Sequence, residues 1–256
     1  MNPTGWAGVA VILFIGTLCC LELGYRLANR KSENPDLAHE GIGGLEAAVF
    51  ALLGLLLGFS FGGGTSRLES RRQLIIQEAN AIGTAYLRLD MLPAGDQPAM
   101  RRQFREYLDT RLRVYQKLPD MNAAEQELTQ ASKIQQRIWS DAVTLSRADP
   151  TQTAPRLLLP ALNEMIDVTT SRTVALHTHI PSLIFSLLII VALLSGLVAG
   201  YAMAKRRSRS WLHMLVYSLV IAVTIYAVLD LDDPRSGLIR LDAADNALLE
   251  LRDSIR

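Results

Sequence analysis

Charged residues are absent from four stretches of the chain: Met1–Leu21, Ala47–Ser66, Ile180–Ala204 and Trp211–Leu229 contain no Asp, Glu, Lys or Arg. Each is long enough, at about 20 apolar residues, to carry a helix across the hydrocarbon of a bilayer. Soluble helices keep a polar stripe toward water, and Ile180–Ala204 has none. The pattern predicts an all-α integral membrane protein with four spans. Met1–Leu21 is read as a permanent span, because Met-Asn-Pro-Thr-Gly-Trp has no basic residue and no small-x-small site follows at Cys20–Gly24.

Between the second and third spans lies a polar insertion of 113 residues, Arg67 to His179. Its periodicity is helical throughout. Ile75, Ala79, Ile82, Tyr86 and Leu89 step by four and three, a narrow apolar seam, and Pro93-Ala94-Gly95-Asp96 ends it. A second helix is predicted over Pro98–Leu118 with Phe104, Leu108, Leu112 and Tyr115 on one face. A third runs over Ala123–Arg147 with Leu128, Ala131, Ile138, Ala142 and Leu145. A fourth is expected from about Pro160, carrying Leu162, Met165, Ile166 and Val174 toward the membrane. The reading is of long helices that continue out of spans two and three and pack into a bundle across subunits. The chain thus divides into residues 1–66 (two spans), 67–179 (helical extramembrane domain), 180–229 (two spans) and an acidic C-terminal segment, 230–256.

Charge adds little beyond this. Lys plus Arg number 26 against 25 Asp plus Glu, and the insertion is balanced at 15 basic and 13 acidic residues, so no nucleic-acid or anionic-membrane docking surface is expected. Basic density in the short connections (Arg26, Arg30, Lys31, Lys205, Arg206, Arg207, Arg209) exceeds that on the other flank (Arg67, Arg71, Arg72, Arg172, Arg235, Arg240) by one residue, which favours the insertion outside. Adjacent Cys19 and Cys20 diverge around a helix, and His39, His177, His179 and His213 are scattered, so neither a disulfide nor a zinc site is expected. There is no Gly-rich phosphate loop, nucleophile elbow or His-Glu-x-x-His, and an enzyme is not expected.

The candidate chemistry lies in the membrane. Gly54, Gly58 and Gly62 recur every four residues, matched by Gly196 and Gly200 on span three, and such strips let helix backbones approach closely in lipid. Beside the first strip runs another row, Ala51, Leu55 and Phe59. If copies of this helix surround an axis, that row forms stacked apolar rings, which gate ions by dewetting. One helix cannot conduct, so this reading requires a homo-oligomer, cyclic by the usual rule. At the end of span four, Asp230, Asp232 and Asp233 repel one another unless compensated. Three readings stand: a solvated helix stop reinforced by Pro234, an oxygen-rich clasp for a cation, or a salt-bridge dock for Arg67, Arg71 or Arg72.

Leu57-Gly58-Phe59, followed by Arg67, Glu69 and Arg71, resembles the exit of the pore-lining second helix of bestrophins, pentameric anion channels. Leu229-Asp230-Leu231-Asp232-Asp233-Pro234 with Asp245-Asn246-Ala247-Leu248 resembles their acidic-Asp-Pro and downstream segments. Glu78 to Asp90 and Gly237-Leu238-Ile239-Arg240 are similar to the bacterial bestrophin-like family, and that likeness covers nearly the whole chain. The resemblance implies a bestrophin-like fold in the cytoplasmic (inner) membrane of a bacterium, with lipid around a homo-oligomer, a pentamer, and an anion such as chloride as the permeant ion. It implies an apolar neck at Ala51, Leu55 and Phe59, an acidic clasp at Asp230, Asp232 and Asp233, and, against the charge bias, an insertion in the cytoplasm. No resident cofactor is implied beyond the cation of the clasp reading. The alternative reading is a non-conducting membrane interaction or sensor module whose insertion binds a partner and whose glycines serve assembly alone.

Overall fold

A computed structural model describes residues 3–30, 42–118, 120–148, 153–204, 210–233, 238–239 and 241–255. These form α1 (Pro3–Arg30), α2 (Ile42–Leu87), a 3-10 turn (Arg88–Met91), α3 (Gln97–Lys117), α4 (Met121–Arg147), α5 (Thr153–His177), α6 (Ser182–Ala204), α7 (Trp211–Asp232) and α8 (Asp242–Ser254), with no strand among the described residues. The protein is all-α. Four of its helical stretches are long and apolar enough to cross a bilayer; three contain the charge-free segments Ala47–Ser66, Ile180–Ala204 and Trp211–Leu229, and the first, Gly5–Arg30, covers Met1–Leu21 from Gly5 onward. Lys31, Lys205, Arg206, Arg207, Arg209, Arg235 and Arg240 of the orientation argument lie outside the described residues, as do His39, Pro234 and Gly237.

The chain divides into two compact units. The membrane unit holds α1, α2 as far as Leu68, α6, α7 and the described residues Leu238 and Ile239. Its apolar centre joins Leu13, Leu53, Leu188, Val191, Ala192, Ile221, Ile225 and Leu229 from all four helices. Ile12, Leu183 and Leu212 point outward and are largely exposed. That is the expected surface for a helix whose solvent is acyl chain.

Gly16 lies against Leu193, Gly196 against Thr17, and Gly200 against Leu21, so α1 and α6 run parallel. On the other side Phe50 stacks near Tyr217, Gly64 meets Leu231, and α2 and α7 run parallel as well. Alternate crossings of a four-span chain must share a direction, and this pairing satisfies that requirement. Thr17 donates to the Leu13 carbonyl at 2.7 Å and Tyr217 to Ser195 Oγ at 2.7 Å, whereas the buried Ser218 hydroxyl has no hydrogen-bond partner among the described residues. Without water, such bonds satisfy polar groups that would otherwise stand alone.

The helical unit holds the rest of α2, the 3-10 turn, α3, α4, α5 and α8. The α2 seam of Ile75, Ala79, Ile82 and Tyr86, with Leu89 in the turn, is buried along its whole length. α3 and α4 are antiparallel, as the pairs Gln103–Asp141, Glu106–Arg137 and Arg113–Glu127 require. They bury Phe104, Leu108, Tyr115, Ala131, Ile138 and Ala142, while Leu112, Leu128 and Leu145 stay half-buried. Asp120 caps α4 by accepting the Ala123 N–H at 3.1 Å.

Two expectations are corrected. α5 starts at Thr153, not near Pro160, and Pro160 sits inside it. A proline there removes one i→i−4 hydrogen bond. Arg88 donates to the Leu157 carbonyl at 2.6 Å in the loosened turn. Leu162 and Met165 face the core, but Val174 is exposed. Span two does continue without interruption as α2. Span three does not continue α5, because Thr178–Pro181 is not helical and Pro181 forces a fresh start at Ser182.

Candidate functional site

The membrane half of α2 attaches through one side only. Leu53 is 4% exposed in the apolar centre, Leu56 and Leu57 pack beside it, and Ser60 and Gly64 are buried farther along. The other side carries the row read from the sequence. Leu55 is 54% and Phe59 71% exposed, and Ala51 is exposed with them. Gly54, Gly58 and Gly62 share that side, and a Cβ built on any of them would meet nothing within 4 Å among the described residues. The protomer therefore holds Leu55 and Phe59 on a fixed helix and leaves them uncovered.

The second glycine pair has a different environment. A Cβ on Gly200 would lie 1.9 Å from the Leu21 carbonyl oxygen, and one on Gly196 would lie 3.1 Å from Thr17 Cγ2. Gly24, which the spacing argument did not single out, completes the contact, with a Cβ position 2.0 Å from the Leu197 oxygen. These three glycines bring the α1 and α6 backbones together, and no residue with a side chain fits at Gly24 or Gly200.

Where α2 leaves the apolar region, Arg67 Nε donates to Asp232 Oδ1 at 2.8 Å. Asp232 Oδ2 accepts the Ile180 N–H at 3.0 Å, and His179 Nδ1 stands 3.5 Å away. Gly63 makes room for the guanidinium, since a Cβ there would lie 3.3 Å from Arg67 Nη1. Asp230 instead accepts the N–H groups of Leu238 and Ile239 at 2.9–3.1 Å. Asp233 is half-buried, and its N–H bonds to the Leu229 carbonyl. The carboxylates of Asp230 and Asp232 thus face different groups of the chain itself. Among the described residues no three His, Cys, Asp or Glu side chains are arranged to hold a metal.

Of the candidate basic partners, Arg67 reaches the acidic segment. Arg71 is buried and donates to the Ala175 and Thr178 carbonyls at 3.1 and 2.6 Å, satisfying groups at the end of α5. Arg72 pairs with Glu69 at 3.6 Å on the exposed surface.

The helical unit contains a charged core. Glu78 is fully buried, with Oε1 accepting from Arg111 Nε at 2.5 Å and Oε2 from Arg172 Nη1. Arg172 extends to Asp245 of α8 at 3.3 Å and lies 3.7 Å over the Tyr115 ring, while Arg111 donates to the Tyr115 hydroxyl at 2.5 Å. Burial pushes the Glu78 carboxyl upward in pKa, but the two guanidiniums outweigh it and hold the group below its ordinary value. Burial likewise raises the Tyr107 hydroxyl, which remains neutral and bonds Thr169 at 2.9 Å.

Residues 11–245 match the family described as Bestrophin-like domain. The chain belongs to the bestrophin-like family. Its fold is also that of solved bacterial relatives. A bestrophin homologue from Klebsiella pneumoniae carrying the mutation I180T superposes with a TM-score of 0.63 at 17% identity, covering 96% of this chain and 98% of that one. A membrane protein carrying the mutation L259A gives 0.63 at 14% identity, over 95% and 97% of the two chains. At such identities the likeness is one of fold. No curated protein matches the chain.

The match to the bestrophin-like family runs from within α1 to α8. It therefore includes Gly24 and the Glu78 cluster, neither of which the sequence reading assigned a role. Glu78 carried a signal: it stands three residues after Ile75 and four before Ile82, a carboxylate on an otherwise apolar seam. Arg111 sits in the same position relative to Leu108 and Tyr115 on α3. That these two groups and Arg172 neutralise one another could not be read from spacing, since they are 33 and 94 residues apart.

Proposed function

We propose that this bestrophin-like membrane protein assembles around an axis lined by α2 and forms an ion pathway. Ala51, Leu55 and Phe59 are its apolar constriction. The carrying observation is the uncovered face of α2. Exposed Leu55 and Phe59 stand beside glycines that meet nothing among the described residues, on a helix whose opposite side packs through Leu53, Ser60 and Gly64. A neighbouring helix can approach Gly54, Gly58 and Gly62 closely, and that approach turns the adjacent row toward a shared axis. Family likeness supports a pentamer, a preference for anions such as chloride, an insertion on the cytoplasmic side and a bacterial inner-membrane location. The Arg67–Asp232 pair positions the exit of α2 against α7, and Asp230 holds the backbone of Leu238 and Ile239. A cation at Asp230, Asp232 and Asp233 would have to displace these bonds.

Liposomes loaded with a chloride-sensitive dye test the reading. Protein-containing vesicles are expected to pass chloride above the protein-free rate, and Phe59→Ala and Leu55→Ala to raise it by widening and wetting the neck. Wild-type flux equal to that of empty vesicles, with Phe59 found against acyl chains in the assembled particle, overturns the pathway. It would favour a non-conducting module whose helical unit binds a partner.

A further inference from the structure

Glu78, Tyr107 and Arg111 of the helical unit are fully buried, so each of their polar atoms needs a partner inside the protein. Arg111 presents its N–H groups as a planar fork. Nε donates to Glu78 Oε1 and Nη2 to the Tyr115 hydroxyl, both at 2.5 Å, and these bonds occupy one edge of the fork. Nη1 points away from that edge and has no hydrogen-bond partner among the described residues. An unpaired donor on a buried charge is costly.

Tyr107 stands one turn before Arg111 on α3 and Tyr115 one turn after it, so the three side chains share a face. Thr169 spends its hydroxyl hydrogen on the Met165 carbonyl at 2.7 Å. The 2.9 Å bond between Tyr107 and Thr169 therefore carries the tyrosine hydrogen, and Tyr107 Oη keeps an unused acceptor site. Burial raises the pKa of this hydroxyl, and the Arg111 charge is the largest influence against it, which places the two groups close together. A spare donor and a spare acceptor thus face the same part of the core with no bond between them.

We propose that one ordered water molecule is built into this core, accepting from Arg111 Nη1 and donating to Tyr107 Oη. Charge decides the class of ligand. The carboxylates of Glu78 and Asp245 already balance the guanidiniums of Arg111 and Arg172, so an anion here would be an uncompensated buried charge, and a cation would face a guanidinium. Water is neutral and both accepts and donates. With it the bonds close a ring, from Thr169 of α5 through Tyr107, water, Arg111 and Glu78 back to Arg172 of α5. A lysine at position 111 would keep the charge and lose the fork that holds three partners. The inference stands whether or not the protein conducts.

The test is a crystal structure of the full chain, grown with bromide as the anion and at a resolution that shows ordered water. Wild type is expected to show one solvent peak within hydrogen-bond distance of both Arg111 Nη1 and Tyr107 Oη, without anomalous bromide signal. Tyr107→Phe keeps the ring and removes the acceptor, and is expected to lose the peak while the Arg111–Glu78 pair stays in place. In wild type alone, a protein group packed against Nη1 with no solvent peak, or a direct Arg111–Tyr107 bond, overturns the inference. Bromide at the site overturns water as the ligand, and a peak that survives in Tyr107→Phe overturns the bridge.

Discussion

Two glycine rows with the same spacing, one on α6 and one on α2, are used in opposite ways. Gly196 and Gly200 are occupied within the protomer, where the α1 backbone sits so close that Gly200 and its counterpart Gly24 have no room for a methyl group. Gly54, Gly58 and Gly62 meet nothing among the described residues of their own chain. The helical unit solves its packing by a third route, burying Glu78 against Arg111 and Arg172 where an apolar seam would otherwise run on. Small-residue spacing therefore states that a close approach is permitted. It does not state which helix makes it, or whether that helix belongs to the same molecule.

The largest expected effect is outside the membrane, and it sets the scale for the comparison. Glu78→Ala leaves two buried guanidiniums without their shared carboxylate, and is expected to destabilise the helical unit by about 3–5 kcal/mol. Loss of α-helical signal at a lower temperature in detergent checks it. If the melting temperature is unmoved, the charged core is not structural.

Gly200→Val comes next. Its Cβ would overlap the Leu21 carbonyl, so α1 and α6 must separate, at a cost of about 3 kcal/mol. Gly58→Val on the empty row is expected to leave protomer stability within about 1 kcal/mol while shifting elution from the assembled particle toward smaller species. Equal loss of protomer stability in the two variants would break the comparison between the rows.

A pH scan sharpens the contrast between units. The folded-state pKa of Glu78 lies below the unfolded value of about 4.3. Its contribution is therefore complete above that value and lost as pH falls toward the folded pKa. Acid unfolding of the helical unit, followed by limited proteolysis, is expected to lose this component in Glu78→Gln, whereas Gly58→Val retains the wild-type acid profile. The smallest effect is expected at the exit of α2. Asp232→Asn keeps a hydrogen-bond acceptor for the Ile180 N–H but weakens the part-buried pair with Arg67, and should cost about 1 kcal/mol in thermal stability.

Much of the fold was legible because bilayer and helix geometry both leave simple marks. Four charge-free stretches match four apolar helices, and the 4-3 seams of the insertion become buried faces. Pro160 misled the reading because prolines usually stand near a helix start, while here the helix absorbs one within its length. Pro181, read as part of span three, is the residue before which the chain breaks. Within the candidate site, the row of Ala51, Leu55 and Phe59 could be read as one helix face. Its exposure could not, because an apolar face inside the membrane has the same composition whether it meets lipid, its own chain or a second copy. Gly24 was missed because its partner lies on α6, far along the sequence.

What the sequence determined by itself was local: where helices run, which stretches prefer hydrocarbon, and which residues share a side. Those follow from backbone hydrogen bonding and from the cost of placing charge in lipid, and both act over a few turns. Tertiary structure alone decided that Arg67 meets Asp232 and Arg71 the end of α5, that Glu78 is shared by two arginines, and that α6 receives α1 while the glycines of α2 stay open among the described residues. Each of these is a choice among chemically equivalent partners distant along the chain. Only the packed arrangement brings one of them within bonding distance.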